Sequence, residues 1–268
     1  MKLHHIVAFF SACISVACFS VRIPVSIVEP TETSTSYEIF STPTELPEQI
    51  NEIAVHYYYD ADFFPTSWLR EPPSCIGVQF DLVEAPRVIS DIEEFMSAYD
   101  SIFLRQNLTD IYLLNKLKCY GQSYGGTNSI SSVYLVVRTQ DEGFTDQFLV
   151  SMLHSEFSSI LMRNYPFPEQ EWRLINQDSF VYSENDIQVV EQDTIREQTE
   201  DLFEEGFLTR YATTSVENDF NMFVEWLFTR GTELCEIRSR SERINRKAEL
   251  TIEFYATIDT GVEFATCN

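Results

Sequence analysis

Histidine is scarce in this chain. Four occur in 268 residues, and His4 and His5 stand at the start, which leaves His56 and His154 for everything that follows. Chemistry that needs several imidazoles therefore has little to draw on. Positive charge is scarce too: 18 Lys and Arg face 42 Asp and Glu, for a net charge of −24. So acidic a surface is repelled by nucleic acid and by anionic membrane surfaces, which disfavours both as partners. The cysteines contain no C-x-x-C pair, so their spacing gives no zinc knuckle. No internal repeat is visible. The apolar run from Ile6 to Val21 is too short for a comfortable membrane span.

What is present points to an exported domain. A hydrophobic content of 44% with 21 Phe and 13 Tyr supplies a sizeable core. A short basic start followed by the Ile6–Val21 run reads as a signal peptide over residues 1–20. Ser15-Val16-Ala17-Cys18 fits a relaxed lipobox that would make Cys18 the lipidated mature N-terminus. Phe9 to Cys13 fits the same pattern with a shorter apolar region, and cleavage near Ser20 without a lipid is the plainer alternative. Residues 21–50, rich in Thr, Ser, Pro and Glu, read as a flexible tether. Residues 51–268 read as one domain. Cys75, Cys119, Cys235 and Cys267 remain after processing, and in an oxidising compartment they allow two disulfides in three pairings, or four separate buried thiols.

Along the domain, Ile53–Tyr59 is β-prone and is predicted to be the first strand. Ser90-Asp-Ile-Glu93 is a capping box opening a helix to about Arg105, with Ile92, Phe95, Met96, Tyr99, Ile102 and Phe103 as its apolar stripe. Ile111–Lys118 and Ile130–Arg138 read as strands, separated by a Gly-containing turn region from Tyr120 to Asn128. A long buried helix follows over 145–165, with Leu149, Leu153, Phe157, Ile160 and Leu161 at helical spacing. Thr145 is placed to cap it, and Phe144 to staple onto Leu149. Thr214-Ser-Val-Glu217 opens another helix, closed by Gly231, and a last long helix runs from about Thr232 to Ile258. Strands first and helices afterwards make the fold class α+β, a small sheet followed by a largely helical C-terminal half.

The 145–165 helix carries a second, polar stripe of Ser155, Glu156, Ser159 and Arg163. A carboxylate in so apolar a helix calls for a partner or a function. Many zinc peptidases place H-E-x-x-H on such a helix, two His at i and i+4 on zinc and the Glu as general base. On this chain that template falls on Ser155-Glu156-Phe157-Ser158-Ser159: the Glu is in register and both His positions are Ser. Around it, Tyr124-Gly-Gly126 before the strand at Ile130, Gly206-Phe-Leu-Thr-Arg-Tyr-Ala212 and Glu217-Asn-Asp-Phe220 fall in a matching order. Together these segments resemble the bacterial putative zinc-binding metallopeptidases, also called substrate-import-associated zinc metallohydrolase lipoproteins.

The resemblance implies a zincin-like fold, a lipid anchor, and a place beside an outer-membrane nutrient importer. It also implies where zinc ligands would stand: at Ser155, at Ser159, and near Asn221 or Met222, with Met222 taken as the third position. None of these supplies a His, Cys or carboxylate, and a catalytic zinc needs three such ligands. The chain is therefore read as a degenerate member with no metal and no cofactor. Glu156 then stands as a vestigial general base, because a carboxylate alone does not activate water. His154, about 100° around the helix from Ser155, points elsewhere, unless it binds a metal with Glu184 or Asp186. Ser158 or Ser159 as a nucleophile lacks a His base in register. Tyr211 reads as an oxyanion partner or a core Tyr, and Asn107-Leu-Thr109 matches a glycan acceptor by pattern alone. Arg238, Arg240, Arg243, Arg246 and Lys247 form the one basic cluster, which reads either as a dock for an acidic partner or as a solvated face pairing with Glu242 and Glu249. The expectation that follows is an exported outer-membrane lipoprotein, a pseudo-peptidase that binds a peptide, a glycan or an importer component. Two readings stand beside it: an active zinc-dependent hydrolase with an unconventional ligand set including Glu156, and a structural envelope lipoprotein.

Overall fold

A computed structural model describes residues 48–57, 63–70, 73–80, 85–137, 146–183, 197–258, 260–264 and 266–267. Cys18, Phe144, Thr145, Glu184 and Asp186 lie outside the described residues. Among the described residues seven strands form one sheet, ordered β1-β2-β4-β7-β6. These are β1 (Glu48–Ile50), β2 (Ile53–His56), β3 (Ile76–Gln79), β4 (Asp110–Cys119), β5 (Gln122–Tyr124), β6 (Gly126–Asn128) and β7 (Ser132–Val136). The first half of β4 runs parallel to β2 and β7, pairing Ile111 with Val55 and with Val133. Its second half takes β3 and β5 antiparallel.

Alternation along these strands divides the core. Ile53, Val55, Ile111, Leu113, Val133 and Leu135 join the large cluster shared with the helices. Leu114, Tyr134 and Val136 point the other way, into a smaller cluster with Phe64, Leu117 and the Cys75–Cys119 disulfide. Strands buried on both faces read as continuous apolar runs, which is why β4 and β7 stand out in the sequence. On that second face His56, Tyr112 and Tyr134 stack ring on ring across three strands, at 4.2 and 4.9 Å. The second disulfide joins Cys235 to Cys267, so of the three pairings this one forms.

The helices are α1 (Ala85–Ser97), α2 (Ser101–Asn107), α3 (Asp146–Asn164), α4 (Glu169–Ile175), α5 (Glu200–Glu205), α6 (Val216–Thr229), α7 (Gly231–Arg238) and α8 (Glu242–Thr257). The α+β expectation holds, with the small sheet ahead of the helical half. Helix α3 packs against α1, α6, β6 and β7, and Leu149, Leu153, Phe157, Ile160 and Leu161 are all buried as its spacing predicts.

Several boundaries differ from the sequence reading. The segment taken as tether ends in β1, which pairs with β2 as a hairpin. Helix α1 begins at Ala85, ahead of the Ser90–Glu93 capping box, and the chain breaks at Asp100, whose carboxylate accepts from the amides of Ile102 and Phe103 to start α2. That break resets the helical phase, and Ile102 points to solvent. The 120–128 turn region contains β5 and β6, with Tyr120 and Gly121 both at positive φ in the tight turn between β4 and β5. Ser215, in extended backbone, caps α6 in place of Thr214. Gly231 opens α7 instead of only closing α6, and Ser241 caps α8, so the last long helix is two. The glycan pattern falls on a buried side chain: Asn107 donates to Phe103 O and to the Tyr165 hydroxyl, both at 3.0 Å.

The largest correction is Lys247. It does not share a solvated face with its neighbours; it is fully buried. Its ammonium donates to Asp219 Oδ2 at 2.6 Å and to Gly206 O at 2.9 Å. The same carboxylate oxygen accepts from Tyr182 at 2.7 Å and Trp172 at 2.9 Å. Burial pushes the lysine down and the carboxyl up, and each partner pulls the other back. This knot ties α8, α6 and α4 together. Removing one charge strands the other in the core, so Lys247→Met should cost about 3–5 kcal/mol, and the neutral pair Lys247→Met with Asp219→Asn should recover much of that. Urea denaturation of the wild type, the single and the double variant measures it; equal stability of all three would contradict the assignment.

Candidate functional site

The polar stripe of α3 meets α6 across a buried seam. The Ser158 hydroxyl shares its one hydrogen between Asn221 Oδ1 at 2.6 Å and Ser155 O at 2.7 Å, and the Asn221 amide donates to Ser159 Oγ at 2.8 Å. Ser155, Ser158, Ser159 and Asn221 are all buried. A single amide thus satisfies two hydroxyls from the neighbouring helix, as a buried polar group requires. The α6 residue that faces the stripe is Asn221. Met222, taken from the sequence as the third position, lies one residue round the helix and is buried in the apolar core. The sequence offered both; the 100° turn between them decides which meets α3.

Glu156 faces β6. Its Oε2 accepts from Asn128 Nδ2 at 2.6 Å. Its Oε1 lies where a β-carbon on Gly126 would stand 2.7 Å away, so a side chain at that position would collide with the carboxylate. This close approach explains the glycine of Tyr124-Gly-Gly126. Arg163 does not reach Glu156 directly. It donates to Asn128 Oδ1 and to Ser129 O, and pairs with Glu217 at 3.8 Å. No local pattern marks Asn128, because its role depends on a strand brought beside α3 by the fold. Glu156 keeps some solvent-facing surface, yet the packing around its carboxyl raises its pKa to about 7. Desolvation is the main cause; Glu217 and buried Glu225 push it further up, while Asn128 and Arg163 pull it down.

The remaining sequence candidates take structural places. His154 is buried, hydrogen-bonded through Nδ1 to the Tyr99 hydroxyl at 2.9 Å and stacked on Phe228 at 3.7 Å. Burial lowers its pKa to about 3, so it is a neutral core residue. Ser158 and Ser159 are engaged by an amide, which cannot take a proton from either, so neither is an activated nucleophile. Tyr211 packs part-buried against the core in a short 3₁₀ turn.

The residues 119–256, just over half of the chain, match the family model described as "Putative zinc-binding metallo-peptidase". The chain belongs to this family. A crystal structure of a protein described in the same terms, from Bacteroides caccae, is similar at 13% identity, over 77% of this chain and 80% of that one, with a TM-score of 0.49. No curated protein matches.

The family's name raises the question of zinc, and the side chains present answer it. Positions i and i+4 around Glu156 are neutral hydroxyls, and the facing α6 residue is a neutral amide. Zinc sites are built from thiolate, imidazole and carboxylate. Among the described residues no group of three or more His, Cys, Asp and Glu is placed to hold a metal ion. The donor set at this seam does not fit zinc.

The raised pKa of Glu156 has a consequence for stability. A carboxyl whose folded pKa lies above its unfolded value binds more protons when folded, so its contribution falls as pH rises from about 4.5 to about 7. Glu156→Gln removes this slope. Relative to wild type, the variant should gain on the order of 1–3 kcal/mol between pH 5 and pH 8. Parallel denaturation curves across that range check it; an unchanged difference would mean Glu156 titrates normally.

Proposed function

We propose that this chain is a pseudo-peptidase, a family member that works by binding instead of zinc hydrolysis. The observation that carries this reading is the Ser158–Asn221–Ser159 clamp. It fills the α3–α6 seam at Ser159 with a hydroxyl and an amide that satisfy each other, where the H-E-x-x-H template would have a metal ligand. Export with a lipid on Cys18, residence at the outer membrane and an accessory role in nutrient uptake belong to the same proposal. They are supported by the N-terminal pattern and by the family resemblance. A peptide, a glycan or an importer component is the class of partner.

The alternative of a hydrolase with unconventional ligands makes the opposite claim about metal. Purified protein should contain no stoichiometric zinc after equilibration at neutral pH. One zinc per chain, together with peptidase activity abolished in Glu156→Gln, would replace the binding reading with the enzymatic one. Rebuilding ligands tests the same site from the other side. Ser155→His, Ser159→His and Asn221→Glu in one chain should restore zinc uptake measurable by elemental analysis, while each single change should not, because one- and two-ligand sites are far weaker. A triple variant with native circular dichroism and no zinc would show that the seam is not the zinc position.

Anchoring has its own test. Cys18→Ala should release the protein from the membrane fraction or block its processing, since acyl chains contribute about 0.8 kcal/mol per buried CH₂. A mature, membrane-bound Cys18→Ala protein would exclude Cys18 as the lipidated residue.

A further inference from the structure

The basic cluster near the C-terminus is not consumed by the site above. With Lys247 withdrawn into the core, Arg240 and Arg246 stay exposed, and Arg246 pairs with Glu249 as the solvated-face reading expects. Three of the cluster's arginines, Arg240, Arg243 and Arg246, line one cavity of about 450 Å³ with Ile175, Glu204, Ser241 and Glu242. That volume falls in the range of small-molecule sites, about 300–1,000 Å³. The cavity is formed where the ends of α4 and α5 meet the turn before α8 and its first two turns.

Each arginine is held differently. Arg240 is engaged by a carboxylate, its Nη1 donating to both oxygens of Glu200 at 2.9 and 2.8 Å. Arg246 reaches Glu249 and Glu253 only at 3.4 Å each, contacts loose enough to exchange. Arg243 is half-buried, its stem packed where a β-carbon on Gly206 would collide with it. Its hydrogen bond goes to a backbone carbonyl, Glu204 O at 3.1 Å, and among the described residues it forms no ion pair. A guanidinium offers five N–H donors, and this one spends few of them. In a chain of net charge −24, a preorganised arginine without a carboxylate partner is a place for an anion from outside. Around it Glu204 and Glu242 offer acceptors for hydroxyl groups, while the Ser241 hydroxyl is spent on Phe203 O and on capping α8, and Ile175 is the one apolar side chain of the lining.

We infer that this cavity binds a sugar-sized molecule carrying an oxyanion, with Arg243 and Arg246 on the anionic group and the acidic rim on its hydroxyls. The site lies apart from the α3–α6 seam and stands whether or not the seam binds anything. Glucuronate and glucose 6-phosphate serve as probes for the full chain, by calorimetry and by thermal shift. Glucose, inorganic sulfate and sodium chloride at matched ionic strength are the controls. Saturable binding of an anionic sugar is expected, with sulfate weaker and glucose without effect. Arg243→Gln should weaken that binding by about tenfold or more, the loss of a charge-assisted hydrogen bond. Arg246→Gln, at an exposed position that does not threaten the fold, should weaken it in the same direction. No saturable binding of either anionic sugar overturns the proposal. So does glucose or sulfate binding as tightly as the anionic sugars, or unaltered affinity in both variants.

Discussion

Everything near the site follows from one constraint: α3 is enclosed by protein on most sides, and every polar group it carries must find a partner there. The helix lies between the sheet, α1 and α6. It brings four polar side chains, Ser155, Glu156, Ser158 and Ser159, into that enclosure. An unsatisfied buried hydroxyl or carboxylate costs more than a made hydrogen bond returns, so the neighbours are fixed by what α3 needs. Asn221 on α6 serves Ser158 and Ser159, Asn128 on β6 serves Glu156, and Gly126 leaves the carboxylate room. Arg163 then closes the set by holding Asn128 in place and offering its charge at one remove.

This arrangement accounts for what the sequence made legible and what it hid. Helical spacing found α3 and its apolar face, because five large residues recurring on one side allow little else. Short apolar runs, Ile111 to Leu114 and Val133 to Val137, found β4 and β7, because those stretches are covered on both faces of the sheet. The H-E-x-x-H register found Glu156 and the two serine positions. Helix ends were less legible. A capping pattern such as Ser90–Glu93 also fits inside a helix, and only tertiary packing settles that α1 starts earlier and that Asp100 interrupts it. The third position was narrowed to two adjacent residues, and one step of 100° separated the polar contact from the core.

Lys247 shows the same limit more sharply. In sequence it follows Arg246 within a basic run, and charge patterning assigns it to solvent. Its true partner, Asp219, is 28 residues away in the chain and on another helix, a pairing that no local rule contains. Asp219 itself entered the sequence reading only within Glu217-Asn-Asp-Phe220, and in the first turn of a helix a carboxylate needs no further explanation. Buried ion pairs of this kind are invisible until the fold brings both halves together, and they matter because their cost is large when either half is lost.

The two polar constructions, the amide clamp and the buried ion pair, act on the same helix from opposite directions. Asn221 holds α6 to α3, while Asp219, two residues earlier, holds it to α8 and α4. In a metalloprotein, ligands on neighbouring helices make the ion part of the folding free energy. Here the seam is joined by an amide and two hydroxyls that satisfy one another, and α6 is pinned independently on its far side. A fold secured in this way does not need a metal to keep α3 and α6 together.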